Sequence, residues 1–415
     1  MEQIVAPAAR PLSRHAFSFV LITVLLDMIG FGLIIPVLPK LIETVGEVSL
    51  AEASKVGGWM FFAYSAAQFF FGPLMGNLSD RFGRRPLLLL AIGGLFLDYL
   101  LQAFAPNLVC LYVGRAISGV CGASWIIANA YVADITTPEE RAKYYGMMGA
   151  AFGLGFVLGP AIGGPLGDLG PRVPFFVAAG ISALNLIYGF FVLPETLPVA
   201  KRRAFEWRRS NPFGAFKVFQ SYHGVVPLCV VLFVFFFASS VYPAIWPFWG
   251  MSKFGWSSSM VGLTLAIFGL LMAATQGGLT GPLVKRFGEH RVALVGFIAA
   301  SVAALGYGLA GGLTTVIVLM VIHTPEGFIY PMISAMMSKL VPDNAQGELQ
   351  GGVSAILNVA QLAGTVFYAH LFGYFMSPAA PFQSPTIGFF AASAGLTLSF
   401  GLYLWLVRVP LRAVQ

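Results

Sequence analysis

Four ionisable residues lie in the middle of long apolar segments of this sequence. They are Asp27, Asp98, Arg115 and Glu326. An ionised side chain at the centre of a lipid-embedded helix costs at least about 2.5–3.5 kcal/mol, so residues of this kind usually serve a function. We therefore expect these four side chains to bind or exchange ions, with protons as the simplest candidates.

Arg115 stays protonated in proteins and therefore needs a carboxylate or several carbonyl groups as partners. We predict that Asp27 is this partner. A buried carboxylate beside an arginine is suited to take up and release a proton. The alternative for Asp27 and Arg115 is a polar tie between helices, and for Asp98 a structural hydrogen bond is an equal alternative.

A second group of polar residues is spaced along one helical face. His323, Glu326 and Tyr330 follow i, i+3 and i+7 spacing, and Pro325 and Pro331 predict a kink or local unwinding in the same helix. A histidine and a glutamate on one stripe can form a proton or cation site. The alternative, equal in weight, is a histidine whose hydrogen bonds are satisfied within the core.

Further polar and aromatic residues recur at helical spacing in other apolar segments. Aromatic side chains with a few amides form pockets for flat, lipophilic or cationic molecules. Hydrogen bonding between helices is the alternative for each of them alone. The candidates for a substrate cavity are Tyr64, Gln68, Asn129, Tyr242, Trp246, Tyr330, Asn358 and Gln361.

The composition requires a membrane around these residues. The chain has 415 residues, of which 58% are hydrophobic and 10% are charged, against about 25% charged in soluble domains. Apolar segments long enough to cross a bilayer as helices predict an all-α membrane protein with twelve spans. The predicted spans are residues 16–38, 57–78, 86–105, 108–132, 143–167, 174–193, 223–249, 259–282, 291–311, 313–337, 347–375 and 385–408.

The distribution of basic residues predicts the orientation of the spans. Of the 24 Lys and Arg residues, the twelve-span arrangement leaves only Lys40, Lys55, Arg172 and Lys253 on one side and Arg115 within a helix. Because basic loops stay in the cytoplasm, we expect both termini to be cytoplasmic. No single basic patch is formed, which argues against nucleic-acid binding.

The sequence repeats itself weakly with an offset of 205 residues. The stretch from Gly76 to Gly83 is echoed by the stretch from Gly281 to Gly288. Repeats are common in secondary transporters, in which one half moves against the other. We therefore predict a first six-helix bundle at residues 1–193, a cytoplasmic linker at 194–222 and a second bundle at 223–415.

Two further motifs point to moving parts. Charged residues at helix ends can pair with each other and form a latch between the halves; the residues assigned to this latch are Gly76, Asp80, Arg81, Gly83, Arg84, Asp134 and Arg141. Small residues every four positions let another helix pack closely, and a proline bends the helix. This glycine motif consists of Gly149, Gly155, Gly159, Pro160, Gly163 and Gly164.

These motifs resemble the major facilitator superfamily, and specifically its drug/proton antiporter branch. The stretch from Gly76 to Pro86 has the form of that family's loop between helices 2 and 3, and Gly149 to Gly164 has the form of its antiporter motif. Over the whole chain the sequence is most similar to tetracycline/proton antiporters. The resemblance implies two pseudo-symmetric six-helix bundles and a latch that breaks as the cytoplasmic side opens. It also implies a histidine in helix 8 and an aspartate in helix 9, where this chain has Met272 and Ala300.

We therefore expect a proton-coupled exporter of lipophilic, drug-like molecules that works by alternating access. Its expected partners are the bilayer, protons and a small lipophilic substrate, with a monomer in the inner membrane if the source is bacterial. We expect no cofactor, no metal and no enzymatic activity, since the sequence has no phosphate-binding loop and no catalytic or metal-ligand spacing. The alternative is a metabolite or lipid transporter, as a symporter, uniporter or flippase of the same fold.

Overall fold

The computed structural model describes residues 14–122, 124–207, 211, 218–342 and 345–408, and every regular element in these ranges is helical. The α-helices are α1 (Arg14–Ile34), α2 (Leu38–Gly46), α3 (Leu50–Phe82), α4 (Arg84–Ala103), α5 (Leu108–Cys121), α6 (Ser124–Ile135), α7 (Pro138–Leu169), α8 (Val173–Val192), α9 (Val218–Ser221), α10 (Val226–Ser239), α11 (Val241–Phe254), α12 (Ser258–Ala274), α13 (Thr280–Leu309), α14 (Leu313–His323), α15 (Ile329–Ser338), α16 (Gln346–Phe375) and α17 (Ile387–Arg408).

The described helices cross a membrane twelve times. Ten stretches are long and apolar enough to span a bilayer, and one of them, Ser258–Leu309, has 52 residues. This stretch makes two crossings because the backbone turns at Gly288. The helix α3 adds another crossing, because its 33 residues carry charges only near its two ends. The predicted all-α fold with twelve spans is thus confirmed.

Several predicted helix boundaries shift for local reasons. The helix α3 begins at Leu50 rather than at 57, because Ser49 and Glu52 cap each other's backbone amides at 3.3 and 3.4 Å. The first span ends at Ile34, before Pro36, which lacks an amide hydrogen. Between α3 and α4 only Gly83 remains outside a helix.

Three spans contain irregular backbone at mid-length. The span α10–α11 breaks at Ser240, and α12 continues into α13 through a π-helix at Thr275–Leu279. The span α14–α15 contains a 3₁₀ helix at Thr324–Phe328. The local unwinding predicted from Pro325 is therefore confirmed. Irregular backbone within spans is tolerated where it is buried in protein or lines a cavity.

The sequence repeat is visible in the backbone. Gly83 has φ 108° and ψ 158°, and Gly288, which lies 205 residues later, has φ 79° and ψ 161°. Positive φ with extended ψ is a conformation that only glycine adopts at low cost. Both residues interrupt helices at the same end of the molecule, which we call the loop end; the other end is called the opposite end.

The first six and the last six spans touch at the opposite end. The Ser54 hydroxyl donates to the Ala369 carbonyl at 3.1 Å, and the Trp59 indole lies 3.1 Å from His370 Nε2. Asp168 Oδ1 accepts from the Ser258 amide at 3.0 Å. These bonds close the opposite end.

At the loop end the two groups of spans are apart. A methyl group placed on Gly146, Gly149, Gly277 or Gly281 would meet no described atom within 4 Å. The neighbouring side chains are largely exposed. The structure is therefore open at the loop end and closed at the opposite end.

Candidate functional site

A cavity of about 360 Å³ lies between the two groups of spans. Its walls are mainly apolar and rich in aromatic rings, and Arg115 and His323 are the lining residues that can carry a positive charge. The lining includes Phe31, Ile34, Phe61, Tyr64, Arg115 and Phe156 from the first group, and Tyr242, Trp246, Phe248, Phe268, Tyr307, His323, Gln361 and Thr365 from the second. Such a site suits a flat apolar molecule that bears a few polar groups.

Arg115 pairs with Asp98 and not with Asp27. Its Nη2 atom lies 3.6 Å from Asp98 Oδ2, and both side chains are buried. Arg115 lies about two helical turns into α5, and α5 packs directly against α4, which carries Asp98. The sequence-based pairing of Arg115 with Asp27 is wrong because the spacing along a helix does not reveal which neighbouring helix faces it.

Two neutral side chains complete this pair. Gln102 donates to both carboxylate oxygens of Asp98 at 2.8 Å and accepts from Arg115 Nε at 3.1 Å. Ser118 donates to Asp98 and accepts from Arg115 Nη2. Together the four residues satisfy a buried ion pair, which would otherwise lose more from desolvation than it gains.

Asp27 stands alone by comparison. Among the described residues, its recorded hydrogen-bond donor is Ser124, at 3.1 Å. A small cavity of about 30 Å³ is lined by Asp27, Tyr64, Tyr99 and Arg115, which is enough for a water molecule. Phe31, Ile34, Tyr64 and Arg115 line both the small and the large cavity. Asp27 is therefore connected to the central cavity through a shared wall.

A second polar cluster lies in the last six spans. His323 Nε2 is hydrogen-bonded to Glu326 Oε2, and Ser239 donates to Glu326 Oε1 at 2.8 Å. His323 Nδ1 lies 3.4 Å from the Tyr307 hydroxyl. The rings of Tyr242 and Phe268 cover the His323 ring at centroid distances of 4.5 and 4.7 Å. The pair is thus contacted by four other side chains and reaches the central cavity through His323.

Two buried hydroxyl groups in the cavity wall lack partners among the described residues. They belong to Tyr242 and Thr365. Buried hydroxyl groups are usually hydrogen-bonded, and each of these can donate or accept. They are available to polar substituents of a bound molecule.

The other predicted cavity residues are distributed differently. Tyr64, Tyr242, Trp246 and Gln361 line the central cavity. Gln68 donates to the Gly122 carbonyl at 3.4 Å behind Tyr64. Their assignment to substrate binding stays a prediction.

Like Gln68, three other predicted cavity residues lie outside the lining of the two cavities. Asn129 donates to the Trp125 carbonyl of its own helix at 2.9 Å. The Tyr330 ring lies against Phe236, and Asn358 is exposed.

The predicted latch forms a network within the first six spans. Arg84 contacts Asp80 at 2.7 Å, Asp134 at 3.1 Å and the Ser79 hydroxyl at 2.5 Å. Arg141 donates to the Ala133 carbonyl at 3.1 Å. This network holds α3, α4 and α6 together while the loop end is open.

The remaining predicted latch residues have local roles in this conformation. The Arg81 guanidinium lies over the exposed Phe82 ring, and Gly76 faces Ile126. A methyl group on Gly83 would collide with Glu195. A role of these residues in opening and closing stays a prediction.

The segment that follows α8 is attached to the same network. Glu195 accepts from the backbone amides of Arg84 and Arg85 at 2.9 and 3.3 Å, and thereby caps the first turn of α4. The Arg203 amide donates to the Asp80 carbonyl at 3.1 Å. Residues 208–210 and 212–217 of the predicted linker lie outside the described residues.

The glycines of the predicted helix 5 motif lie in α7 and pack on α1. A methyl group on Gly155 would lie 2.6 Å from Met28 Cβ, and one on Gly159 would lie 2.6 Å from Gly32 Cα. Gly163 faces the Leu33 backbone, whereas Gly164 faces Ser258 of α12. Pro160 lies between them and contacts Gly32. Gly149 has no such neighbour, and a flexing role for the motif stays a prediction.

The resemblance implies ionisable residues at the positions of Met272 in α12 and Ala300 in α13. No neighbouring residue in the same helix replaces them. Ala300 is fully buried in α13. Met272 lies close to Gly327, in the 3₁₀ segment that carries Glu326. The ionisable residues near Met272 are therefore His323, at the end of α14, and Glu326, in the 3₁₀ segment that follows.

Some functional partners were not predicted from the sequence. Gln102 lies four residues after Asp98 and Ser118 three after Arg115, so helical spacing could have identified both. Ser239 and Tyr307 approach the His323–Glu326 pair from distant parts of the chain. No local signal could have identified them.

The sequence was compared with known proteins. The model of the Major Facilitator Superfamily matches residues 20–367 and, separately, 228–414. The tetracycline resistance protein, class C, of Escherichia coli is 38% identical over 363 residues, which are 87% of this chain and 90% of that protein. Multidrug resistance protein 2 of Bacillus subtilis is 28% identical over 364 residues, 86% of this chain and 89% of that protein.

A solved structure extends the likeness to three dimensions. A bacterial homologue of the human lysosomal transporter Spinster, in an inward-facing and occupied conformation, superimposes with a TM-score of 0.78. The match covers 98% of this chain and 99% of that one at 16% identity, which shows a shared fold. The chain is a multi-pass membrane protein and belongs to the Major Facilitator Superfamily.

Proposed function

We propose that this protein is a proton-coupled exporter of lipophilic or drug-like small molecules. One observation carries the proposal: the cavity between the two groups of spans shares a wall with a small buried cavity that is lined by Asp27 and by Arg115, the partner of Asp98. Cargo and proton sites thus lie in one compartment. The family membership and the names of the relatives, which are tetracycline and multidrug resistance proteins, support export.

Proton exchange is assigned first to Asp27. Arg115 is already neutralised by Asp98, whereas Asp27 has a hydroxyl group as its recorded partner. An unpaired carboxylate in a low-dielectric site favours its protonated form until a polar or charged group approaches. Cargo that enters the shared cavity would change this environment and release the proton.

The proposal includes an orientation and an arrangement of the bundles. The loop end, which carries Arg81, Arg84 and Arg85, faces the cytoplasm because basic loops are retained there. Residues 1–193 and 223–415 form two bundles that rock around the cavity, and residues 194–222 link them. The protein works as a monomer, because a single chain contains a complete cavity.

The cargo is a flat, mainly apolar molecule with a few oxygen or nitrogen substituents. Phe31, Trp246 and Phe268 offer ring faces, and the Tyr242 and Thr365 hydroxyl groups offer unused hydrogen bonds. A sugar-like metabolite would need many more polar contacts than this wall provides. The apolar wall therefore favours drug export over metabolite transport.

Transport into vesicles tests the proposal. Purified protein would be reconstituted into proteoliposomes with an acidic interior. Uptake of tetracycline, ethidium, uridine, glucose and a fluorescent phospholipid would then be measured. We expect tetracycline or ethidium to accumulate against its gradient, and nigericin, which collapses the pH gradient, to abolish the accumulation.

Protein-free vesicles and the Gly153→Ala variant serve as controls. Gly153 lies on α7 with no described atom within 4 Å of an added methyl group, so this variant should transport normally. Uptake of uridine, glucose or phospholipid alone would contradict drug export. Accumulation that survives nigericin would contradict proton coupling.

A further inference from the structure

The charges in the middle of the spans do not balance. Three carboxylic acids, Asp27, Asp98 and Glu326, lie in the middle of spans, and Arg115 is the one permanent cation among the described mid-span residues. Arg115 neutralises Asp98. Two carboxylates therefore remain without a permanent counter-ion, one in each group of spans. In low-dielectric surroundings each of them needs a proton to become neutral.

From this imbalance we infer that His323 and Glu326 form a second proton-exchange site, on the opposite wall of the cavity from Asp27. The inference rests on the proposed function and extends it from one proton to two per transported molecule. His323 lines the cavity, and Glu326 is hydrogen-bonded to it from behind. The pair can share one proton and is then neutral, whereas loss of that proton leaves one negative charge.

The surroundings of His323 support both protonation states. Tyr307 from α13 can donate to Nδ1 of a neutral imidazole or accept from Nδ1–H of an imidazolium. Phe268 from α12 stacks on the His323 ring, and the Tyr242 ring from α11 lies tilted against it. Ser239 from α10 holds the second oxygen of Glu326. Glu326 is the carboxylate in contact with His323, and Tyr242 and Tyr307 are its other titratable neighbours.

The position of the pair also links it to cargo. His323 lines the central cavity, and Arg115 lines both this cavity and the small cavity that holds Asp27, so a bound molecule contacts one proton site directly and reaches the other through the shared wall. Glu326 lies in the 3₁₀ helix Thr324–Phe328, where the backbone departs from the regular helix at the level of the cavity. In each cycle one proton leaves the His323–Glu326 pair and one leaves Asp27 on the cytoplasmic side, and both are replaced from outside.

The number of protons can be read from the cargo gradient at equilibrium. With the membrane potential clamped at zero, each proton exchanged allows a tenfold cargo ratio per unit of pH difference. The experiment uses proteoliposomes with a one-unit pH gradient, potassium and valinomycin on both sides, and tritiated tetracycline or ethidium as cargo. We expect a ratio of about 100 for the unmodified protein and about 10 for Glu326→Gln and His323→Gln.

The control is His290→Gln. His290 is also a partly buried histidine of the last six spans, and its Nδ1 atom is hydrogen-bonded to the Tyr403 hydroxyl at 2.9 Å. Neither residue lines the central cavity. This variant should keep a ratio of about 100. Size-exclusion chromatography and thermal melting establish that each variant is folded. If His323→Gln does not fold, Glu326→Gln still tests the site, because its amide keeps hydrogen-bonding groups for Ser239 and His323.

The results separate this inference from the proposed function. A ratio of about 10 for the unmodified protein, unchanged in Glu326→Gln, would overturn the second site and keep proton-coupled export. A ratio of about 100 that persists in Glu326→Gln would also overturn it. Absence of any accumulation by the unmodified protein would overturn the proposed function and this inference with it.

Discussion

Replacing Asp168 with alanine should open the closed end of the molecule. Asp168 lies in the last turn of α7 and accepts hydrogen bonds from the backbone amides of Ser258 and Ser259 at 3.0 and 3.2 Å. These amides begin α12, so the carboxylate of one group of spans caps a helix of the other. Lys40 lies 3.8 Å from the same carboxylate but belongs to the first group of spans.

The size of the effect follows from these contacts. Hydrogen bonds to a charged group contribute about 1.5–3 kcal/mol each when buried, but the Asp168 side chain is 33% exposed and is partly screened by solvent. The contribution of Lys40 does not cross between the two groups. We therefore expect about 1–2 kcal/mol for both bonds together, and loss of this contribution shifts the conformational equilibrium by roughly 5–30-fold toward the state that is open at the opposite end.

Double electron–electron resonance, which measures the distance between two spin labels, provides the assay. Cys110, Cys121 and Cys229 would first be replaced by serine. Labels would then be attached at Glu47→Cys and Ala379→Cys, which are exposed positions at the opposite end, one in each group of spans. In Asp168→Ala we expect the population of the longer distance to grow. Asp168→Asn, which keeps one acceptor oxygen, should give an intermediate change.

Lys40→Ala serves as the matched control, because it removes the exposed ion pair and leaves both bonds to α12. Its distance distribution should remain close to that of the parent. An unchanged distribution in Asp168→Ala, or an equal change in Lys40→Ala, would refute the reasoning.

Three further predictions concern other parts of the molecule. Asp27→Asn should lower pH-driven accumulation about tenfold per unit of pH difference while cargo-for-cargo exchange continues, because the amide keeps an acceptor for its hydroxyl partner but carries no exchangeable proton; unchanged accumulation, or loss of both activities, would contradict the coupling role. Gly159→Ala should lower stability by about 1–3 kcal/mol, since its methyl group meets Gly32, whereas Gly153→Ala should change it by less than about 0.5 kcal/mol; thermal melting in detergent that ranks the two equally would contradict this packing. Glu195→Gln should lower stability by roughly 0.3–1 kcal/mol by weakening the cap of α4, and an unchanged melting temperature in low salt would argue against the cap.

The repeating architecture could be predicted from the sequence because its signals are strong and local. Apolar segments indicate the spans, and the offset between Gly83 and Gly288 indicates the repeat, since both need a backbone conformation that glycine adopts readily. The helix ends could not be predicted as well. The capping of α3 by Ser49 and the extension of α3 and α4 up to Gly83 depend on hydrogen bonds in polar segments, which hydropathy ignores.

The candidate site was predicted in its residue types but not in its pairing. The cost of charge in lipid identified Asp27, Asp98, Arg115 and Glu326. The partner of Arg115 depends on the packing of α4 on α5 and therefore needed the structure. Helical spacing did predict that His323 and Glu326 share a face, because both lie on the same short stretch of chain.

Proton release on cargo binding tests the central claim most directly. Detergent-purified protein in weak buffer would be mixed with tetracycline or ethidium, and the released protons would be followed with a pH indicator over a range of starting pH. We predict release by the unmodified protein, reduced release by Asp27→Asn and by Glu326→Gln, and none by the double variant. Cargo binding without proton release, or release that survives in the double variant, would contradict the account.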